Sequence, residues 1–441
     1  MKKIDADSGL KRDIGFWPAL AIVVGTIIGA GVFMKPAVVL NYAGGSGEAL
    51  AAWVIGGVLI LTGGLTVAEL GAMIPKTGGV YAYLEEVYGE TTAYMFGWMR
   101  TVVFAPATLA ALGLFFASIF VQTFGYSNGW IIPIALVSLL TLMVINIAGA
   151  KYSGYFQLAA TAIKMLPIAG LAVAGLVFGT QQIVEPAFAA DAPSATGMCL
   201  AVLATLFAYD GFTNVAVVAG ELRDPAKIIP RATVVGIAIV IVAYLCVNIA
   251  IFHTLSDQDI LHLGKATSAT AAEHLFGSFG GKLINIGILI SIFGGMNGYL
   301  LTLARVPYAM ACRNQLPASS WFRKINANLG TPVNSIVFII IISVAELGMD
   351  PDWLTNFSIL SLWLFYILTY TGLFILRRRN PDAIRPYRVP LYPFVPAIAL
   401  AGGIFVFVWT WFGDWKVSLA SCGLTVIGLP VLWLVRKYSN K

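Results

Sequence analysis

Long apolar segments recur along the whole chain and are separated by short polar connections. A helix rises 1.5 Å per residue, so about 20 apolar residues cross the roughly 30 Å of hydrocarbon in a bilayer. We predict twelve such spans, at about 14–41, 49–74, 91–124, 129–149, 153–179, 197–220, 231–254, 281–311, 332–349, 353–376, 391–412 and 417–435. The pattern therefore predicts an all-α membrane protein.

The composition agrees with this fold class and excludes others. Of 441 residues, 59% are hydrophobic and only 11% are charged, so folding in water would expose large apolar surfaces. We expect one polytopic domain over residues 1–441, in contact with the lipid bilayer. The chain has no HExxH or P-loop motif, and its three histidines lack metal-ligand spacing. We therefore expect neither an enzyme nor a metal site, and no cofactor.

The distribution of positive charge predicts the orientation of the chain. About 20 lysines and arginines fall on the side of the termini, whereas about three, Lys265, Lys282 and Lys416, fall on the opposite side. Positively charged loops stay in the cytoplasm, so both termini should be cytoplasmic, with the protein in the cell membrane. The charges are dispersed over many short loops, which argues against binding to nucleic acid.

Three connections carry further pattern. The stretch Pro75–Tyr88 is amphipathic and follows the second span, and it fits either an inner gate or a helix on the membrane surface. The longest outer connections lie near 180–196 and 255–280, and residues 268–275 predict a short helix in the second of them. These outer connections would suit an external lid.

The first span contains an unusual cluster of glycines. Gly25, Gly29 and Gly31 lie within seven residues in mid-span. Gly25 and Gly29 are four residues apart, which is the spacing of close helix–helix packing. Glycine also lets the backbone leave the helix, and the freed polar groups must then bind protein, water or a ligand. From this cluster alone, packing and a break in the helix both remain open.

The sixth span has a matching anomaly, Leu206-Phe-Ala-Tyr-Asp-Gly-Phe212, with an acidic residue and a glycine in mid-membrane. The two anomalies correspond if residues 14–179 and 197–376 are inverted repeats of five spans each, followed by two extra helices over 391–435. Transporters of this design bind substrate between two broken helices, where half-helix N-termini hold an anionic group and exposed carbonyls hold a cation. A zwitterionic amino acid presents both groups.

Four motifs in order carry a resemblance to a known family: Gly25-Thr-Ile-Ile-Gly-Ala-Gly-Val-Phe33, Pro75-Lys-Thr-Gly-Gly79, Leu206-Phe-Ala-Tyr-Asp-Gly211 and Pro225-Ala-Lys-Ile-Ile-Pro-Arg231. The chain resembles the amino acid-polyamine-organocation superfamily, in particular its L-amino acid transporter branch and the bacterial serine/threonine (alanine-serine-cysteine type) exchangers. The resemblance covers residue 10 to the C-terminus. It implies a LeuT-like fold with 5+5 inverted repeats and broken first and sixth helices.

The resemblance also implies a substrate site. The substrate carboxylate would bind the backbone N–H groups of Gly29, Ala30 and Gly31, and Phe207 would close over the substrate as an outer gate. Phe212 and Thr213 would border the side-chain pocket. Asn297 fits either the pocket wall or a helix–helix hydrogen bond. The ammonium would bind backbone carbonyls, those of Thr26 or Ile27, and of Phe207, Ala208 and Asp210.

Lys164 lies about eleven residues into the fifth span, where an unpaired ammonium is costly. A lysine near a helix end can extend its charge to the interface, but this depth argues against that interpretation. By resemblance, Lys164 takes the place of a sodium ion in sodium-coupled relatives, near Gly25, with Tyr244 and Ser291 as partners. That position implies sodium-independent exchange.

Other charged residues in the spans leave alternatives open. Asp210 would either cap the broken helix by accepting backbone N–H bonds or bind a proton or ion. Glu69 and Arg100 approach the cytoplasmic ends of their spans, and Glu346 approaches an outer end. For these three we expect solvated or loop-paired side chains.

The favoured function is alternating-access exchange of small neutral L-amino acids such as serine, threonine and alanine. No charged residue clearly faces a side-chain pocket, and Phe207 and Phe212 would crowd it. The alternatives are a proton-coupled symporter that uses Asp210 or Glu69, and a non-transporting amino acid receptor. Animal relatives bind a heavy subunit through a disulfide between the third and fourth spans. Residues 124–129 contain no cysteine here, so we expect no such partner.

Overall fold

The computed structural model describes residues 12–183, 195–326, 329–413 and 415–439. In these ranges the chain is helical apart from its turns, connections and a single bridge between Ile14 and Leu222. The N-terminal residues before position 12 and most of the predicted outer connection near 180–196 lie outside these ranges. The all-α prediction is confirmed.

The first half of the chain contains helices up to the fifth predicted span. They are α1 (Phe16–Ile27), α2 (Gly31–Met34), α3 (Pro36–Ala43), α4 (Ser46–Met73), α5 (Val80–Tyr88), α6 (Glu90–Trp98), α7 (Ala105–Phe124), α8 (Ile131–Ile147) and α9 (Ala150–Phe178). A six-residue π-helix, Met99–Phe104, joins α6 to α7.

The second half continues from the sixth predicted span to the end of the described chain. Its helices are α10 (Ala195–Ala208), α11 (Asn214–Val217), α12 (Pro225–Thr254), α13 (Asp257–Leu263), α14 (Thr267–Phe276), α15 (Ser278–Leu303), α16 (Arg305–Cys312), α17 (Ser319–Phe322), α18 (Val333–Ala345), α19 (Pro351–Arg379), α20 (Phe394–Gly413), α21 (Trp415–Val426) and α22 (Gly428–Ser439).

Ten helical segments among the described residues are long and apolar enough to cross a membrane. Two shorter apolar segments, Ala195–Ala208 and Val333–Gly348, lie at the sixth and ninth predicted spans. Each predicted span therefore has a helical counterpart. The apolar pattern located the helices because a segment that must satisfy its own backbone in lipid has few alternatives to a helix.

The helices differ in how much of their surface the protein covers. In the segment Ser278–Cys312, which contains α15, 83% of the most apolar window is buried, and in Phe16–Met34 the share is 72%. In Asn128–Ile147, which contains α8, it is only 28%. The first and eighth spans therefore lie at the centre of the bundle, and the fourth lies at its periphery.

Two helices are interrupted in the centre of the bundle, as predicted. We call residues 27–31, from the last residue of α1 to the first of α2, the first break. We call residues 208–213, from the last residue of α10 to the start of α11, the second break. Helix α1 packs against α9, α12 and α15, whereas α10 packs against α3, α4 and α20, so different neighbours hold each break.

Most of the stretch Pro75–Tyr88 is buried, although Lys76 and Glu86 are exposed, and this burial argues against a helix that lies on the membrane surface. The backbone N–H of Gly78 donates to the carbonyl of Val217 in α11, at 3.0 Å. A Cβ atom at Gly79 would lie 2.9 Å from the backbone of Ala216 and Val217, and φ at Gly79 is +56°. Only glycine lets this loop pack so closely under α11. The contact favours the interpretation as an inner gate.

The predicted short helix in the connection near 255–280 is present as α14. The Ser268 hydroxyl of α14 donates to the carbonyl of Phe33 in α2, at 2.8 Å. Helix α14 therefore touches the short half of the first interrupted helix. Its function as a lid remains a prediction.

Candidate functional site

The first break exposes backbone donors. Ile28 has φ −74° and ψ 95°, an extended conformation that ends α1. Among the described residues, none accepts a hydrogen bond from the backbone N–H groups of Gly29, Ala30 and Gly31. Consecutive unpaired amides at a helix start attract anions because each N–H carries partial positive charge. The predicted carboxylate-binding groups are therefore available.

Lys164 binds the carbonyl side of the same break. Its side chain is 0% exposed, and its ammonium donates to the carbonyls of Gly25 at 2.7 Å and Ile28 at 2.5 Å. An ammonium between two carbonyls is satisfied at membrane depth. The interpretation as a lysine that extends to the interface is wrong, because the group points into the protein.

Tyr244 and Ser291 bind the first break directly, without contacting Lys164 through a hydrogen bond. The Ser291 hydroxyl lies 3.2 Å from the carbonyl oxygen of Ile28 and 3.1 Å from that of Gly29. The Tyr244 hydroxyl lies 3.0 Å from the carbonyl oxygen of Ile27. The predicted group of residues is thus brought together, but the backbone of the first break is the partner that they share.

The glycines of the first span have different functions. A Cβ atom at Gly25 would collide with Nε2 of Gln157 and lie 2.6 Å from Oγ1 of Thr161, both on α9. A Cβ atom at Gly29 would meet nothing within 4 Å. Close packing therefore explains Gly25, but it does not explain Gly29, which borders a cavity.

The two breaks touch each other. A Cβ atom at Gly31 would lie 2.9 Å from the Cα atom of Ala208, and one at Gly211 would lie 3.0 Å from the carbonyl of Thr26. The Thr26 hydroxyl lies 3.1 Å from the carbonyl oxygen of Gly211. The Tyr244 hydroxyl, already at the first break, lies 2.9 Å from the carbonyl oxygen of Ala208. Glycine permits this approach on both sides.

A cavity of about 460 Å³ begins where the breaks meet. It extends past Phe207 toward Lys265 and Asp352, whose side chains form an ion pair at 3.4 Å. The Lys35 ammonium lies 4.8 Å from the centre of the Phe207 ring. Predicted site residues on the cavity wall are Thr26, Ile27, Gly29, Ala30, Gly31, Phe207, Ala208 and Asp210.

Phe212 and Thr213 do not line this cavity, so their predicted position beside it is wrong for this conformation. The Phe212 ring lies 5.4 Å from that of Tyr366 and is fully buried. The Thr213 hydroxyl lies 3.1 Å from the Tyr366 hydroxyl. Gly211, with φ +113°, turns the chain after Asp210, and the side chains that follow pack behind the cavity.

Asn297 also lies away from the cavity, and the alternative of a helix–helix contact is the one observed. Its amide nitrogen donates to Oε1 of Gln157 at 2.8 Å, and its amide oxygen accepts from Nδ2 of Asn146 at 3.0 Å and from the Ser153 hydroxyl at 3.2 Å. This buried network joins α8, α9 and α15. It braces the side of α9 from which Gln157 packs against Gly25.

The sequence did not predict the surroundings of Asp210. The carboxylate accepts hydrogen bonds from Tyr299 at 3.2 Å and from Tyr366 at 3.4 Å. Its function as a cap of the broken helix stays a prediction. Tyr299 lies on the cavity wall beside Asp210. Nothing in the sequence distinguishes it from the other tyrosines, of which the chain has 17 in all.

Arg100 is buried, so the expectation of a solvated or loop-paired side chain is wrong. It is 2% exposed and lies in the π-helix Met99–Phe104, where Nη2 donates to the amide oxygen of Asn214 at 2.9 Å. Its position ten residues into an apolar helical segment was a usable signal, because arginines at membrane depth face the bundle interior.

Glu69 is fully buried and pairs both with Arg377 of α19 and with the connection after α19, so the expectation of loop pairing is met only in part. Its carboxylate accepts from Arg377 at 2.6 Å and from the backbone N–H of Val389 at 2.7 Å, and Arg385 lies 3.4 Å away. The pairs fasten the connection after α19 to α4. Both oxygens of the Glu69 carboxylate therefore have structural partners.

The ammonium-binding carbonyls differ in availability. The carbonyls of Ile27 and Ala208 face the Tyr244 hydroxyl, as described above. Among the described residues, no donor lies opposite the carbonyl of Thr26, and Thr26 borders the cavity. Thr26 is therefore a better acceptor for a substrate ammonium than Ile27.

The chain is similar to known proteins over most of its length. The family model described as "Amino acid permease" matches residues 14–427. The chain belongs to the amino acid permease family. It is 45% identical over 438 residues to the serine/threonine exchanger SteT of Bacillus subtilis (strain 168), covering 98% of each chain.

More distant permeases are also similar over nearly the whole chain. The cystine/glutamate transporter of Homo sapiens is 32% identical over 442 residues, covering 98% of this chain and 87% of the relative. The Asc-type amino acid transporter 1 of Mus musculus is 32% identical over 439 residues, covering 96% and 81%. The predicted resemblance to the amino acid-polyamine-organocation superfamily is confirmed, and these proteins are transporters and not enzymes.

Proposed function

We propose that this protein exchanges small neutral L-amino acids, such as serine, threonine and alanine, across the cell membrane without sodium. The observation that carries the proposal is the cavity at the meeting point of the two breaks, where the amides of Gly29, Ala30 and Gly31 have no acceptor in the part of the chain that the structure describes. The similarity to a bacterial serine/threonine exchanger over 98% of both chains supports exchange of this substrate class.

The architecture in this proposal has twelve membrane crossings. The ten long helical segments and the two shorter ones, Ala195–Ala208 and Val333–Gly348, supply them. Residues 14–179 and 197–376 form the inverted repeats of a LeuT-like fold, and the helices over 391–435 follow them. Both termini are cytoplasmic. The interruption of one helix in each repeat, at residues 27–31 and 208–213, supports this arrangement.

The substrate bridges the two breaks. Its carboxylate accepts hydrogen bonds from the three amides of the first break, and its ammonium donates to the carbonyl of Thr26 and to carbonyls near Phe207 and Asp210 in the second break. The side chain projects into the cavity between Phe207 and Tyr299, both of which lie on its wall. The two aromatic side chains reduce the space left for the substrate side chain, which favours a small one.

Sodium is not needed because Lys164 supplies a fixed positive charge at the first break. Its ammonium occupies the carbonyls of Gly25 and Ile28, which would otherwise be oxygen ligands for a cation. The buried ammonium also holds α1 against α9. In an exchanger the carrier without substrate must change slowly between the conformations open to each side of the membrane. The hydrogen bonds of Lys164 stabilise one arrangement of the first helix.

Transport follows from opening the cavity alternately to each side. In this conformation the cavity extends toward Lys265 and Asp352, on the predicted outer side. The opposite side is closed by Phe212, Tyr366 and the loop that packs under α11 through Gly78. Phe207 closes over the substrate, and the loop and α11 then separate.

Proton-coupled symport is the second candidate, and one observation favours it. Asp210 is a carboxylate on the cavity wall with two tyrosine partners, which places a proton-accepting group beside the substrate. Glu69 is a poorer proton carrier, because its ion pairs with Arg377 and Arg385 engage both oxygens.

The deciding experiment is trans-stimulation in proteoliposomes. Vesicles loaded with L-serine should take up external radiolabelled serine, threonine or alanine much faster than empty vesicles, with or without sodium, and with the pH gradient collapsed. Uptake into empty vesicles driven by a pH gradient would support symport instead. Faster exchange of large aromatic amino acids than of serine would overturn the proposed substrate class.

A further inference from the structure

Arg100 lies behind the wall of the substrate cavity and has no function in the binding scheme above. Its guanidinium carbon is 4.4 Å from the centre of the Phe104 ring and 5.8 Å from that of Phe96. Phe104 lines the cavity, whereas Arg100 does not. A charged residue buried at membrane depth is expensive, so its retention calls for a functional explanation.

The hydrogen bonds of Arg100 do not explain its charge. One nitrogen, Nη2, binds the amide oxygen of Asn214, and Nε has no hydrogen-bond partner among the described residues. A neutral donor would serve Asn214 equally well. A short chain of contacts links Arg100 to Asp210, four residues before Asn214. The Phe104 ring under the guanidinium lies 6.2 Å from the Tyr299 ring, and the Tyr299 hydroxyl donates to the Asp210 carboxylate at 3.2 Å.

The two charges are placed unequally with respect to the cavity. Asp210 is on the wall, and Arg100 is behind it. A substrate side chain therefore meets a carboxylate whose charge is offset by a guanidinium it cannot touch. We call the part of the cavity wall at Asp210 the floor of the cavity. In a low-dielectric interior, either charge alone would dominate the electrostatic potential there.

We propose that Arg100 determines specificity by cancelling the charge of Asp210 at the floor of the cavity, so that the carrier selects neutral side chains against cationic ones. The inference rests on the proposed amino acid exchange. It explains how a carboxylate on the wall is compatible with neutral substrates. Selectivity is the difference between the affinity for a neutral side chain and the affinity for a cationic one. Arg100 sets this difference without contacting the substrate.

Four variants test the proposal in serine-loaded proteoliposomes, by competition of L-lysine and L-glutamate with labelled L-serine. In Arg100→Gln the uncompensated carboxylate should improve lysine relative to serine by about tenfold, because one partner of a buried charge pair is lost. In Asp210→Asn the exposed positive potential should improve glutamate instead. The double variant, Arg100→Gln with Asp210→Asn, should again prefer neutral side chains. Asn214→Ala removes the hydrogen bond of Arg100 but keeps both charges, and should keep the original order of preference.

Unchanged lysine-to-serine ratios in Arg100→Gln, with serine exchange retained, would overturn the proposal. If a variant folds but does not transport, stabilisation of the purified protein against heat by serine, lysine or glutamate gives the same ratios. The conservative variant Arg100→Lys should preserve neutral selectivity, and a switch to cationic substrates there would also contradict the idea. Absence of serine exchange in the unmodified protein would refute the proposed function instead, so the two failures are distinguishable.

Discussion

The first break and the second break are both interruptions of a helix in the centre of the bundle, but their backbone groups bind different partners. At the first break, Lys164 and Ser291 bind the carbonyls, and three amides have no acceptor among the described residues. At the second break, a side-chain carboxylate, Asp210, accepts hydrogen bonds from Tyr299 and Tyr366. The first break is thus prepared for an anion, and the second already contains one.

This difference assigns the two ends of the substrate. A carboxylate needs hydrogen-bond donors, and the amides of the first break supply them, so it should bind there. An ammonium needs acceptors and would meet the Lys164 ammonium at the first break, so it should face the carbonyls of the second break. The asymmetry therefore gives the amino acid one orientation in a cavity that two similar breaks would leave ambiguous.

The largest effect should come from Gly31→Ala. The added methyl group would lie 2.8 Å from the Cβ atom of Ala208, so the two breaks would have to move apart. Displacement of about 1 Å at a reacting or binding site can cost on the order of 100-fold, and we expect exchange of serine to fall by about that factor. Proteoliposome exchange measures it.

Gly170→Ala is the matched control for this change. Gly170 lies in α9, and an added Cβ atom there meets nothing within 4 Å. It should exchange serine at the original rate. Equal loss in both variants would show that the effect is general instability of glycine-to-alanine changes rather than separation of the breaks.

Lys164→Met should have the next largest effect, because it removes the charge at the first break and keeps most of the side-chain volume. Two buried carbonyls would lose their donor, at roughly 1–3 kcal/mol each. We expect exchange to fall between about 10-fold and 100-fold, with the protein still folded. Initial rates of exchange on both faces of the membrane provide the measurement.

Lys282→Met is the control for the lysine change, since Lys282 is exposed near the start of α15. It should leave exchange unchanged. Exchange kinetics of Lys164→Met that match the unmodified protein on both faces would refute the function assigned to the ammonium.

Tyr244→Phe should have a moderate effect, because it removes a hydroxyl that contacts both breaks at Ile27 and Ala208. The ring remains and still packs against Trp53, with ring centres 5.5 Å apart. A lost buried hydrogen bond is worth about 1 kcal/mol, so the apparent affinity for serine should weaken about fivefold. An increase in affinity would contradict the bridging function.

Ser291→Ala should have the smallest effect of the series. The Ser291 hydroxyl supports the carbonyls of Ile28 and Gly29, but Lys164 remains on Ile28. We expect a change in exchange of about twofold to threefold, consistent with one weak hydrogen bond. A larger loss of exchange in Ser291→Ala than in Lys164→Met would contradict the view that Lys164 contributes more than Ser291 to the first break.

The sequence located the helices and both breaks for clear physical reasons. Apolar length marks a span, and the glycines at positions 29, 31 and 211 mark where the backbone leaves the helix. Lys164 was conspicuous because an ammonium at its depth needs carbonyl partners. These features depend on the position of a residue along one helix.

The errors arose where the answer depends on which helices meet. Beyond Gly211 the helical phase is lost, so periodicity did not indicate that Phe212 and Thr213 pack behind the cavity. Asn297 is an amide that suits a pocket or a neighbouring helix, and only the position of Gln157 decides between them. Arg100 was assigned to the end of its span, although its segment continues as helix for ten residues before it.

The most direct test of the account is an experimental structure with L-serine bound. The orientation assigned here predicts serine carboxylate oxygens within hydrogen-bonding distance, about 3.2 Å or less, of the amide nitrogens of Gly29, Ala30 and Gly31, with the serine ammonium facing the carbonyl of Thr26. A carboxylate bound at Lys35 or Arg100, with those amides still without an acceptor, would contradict the central claim.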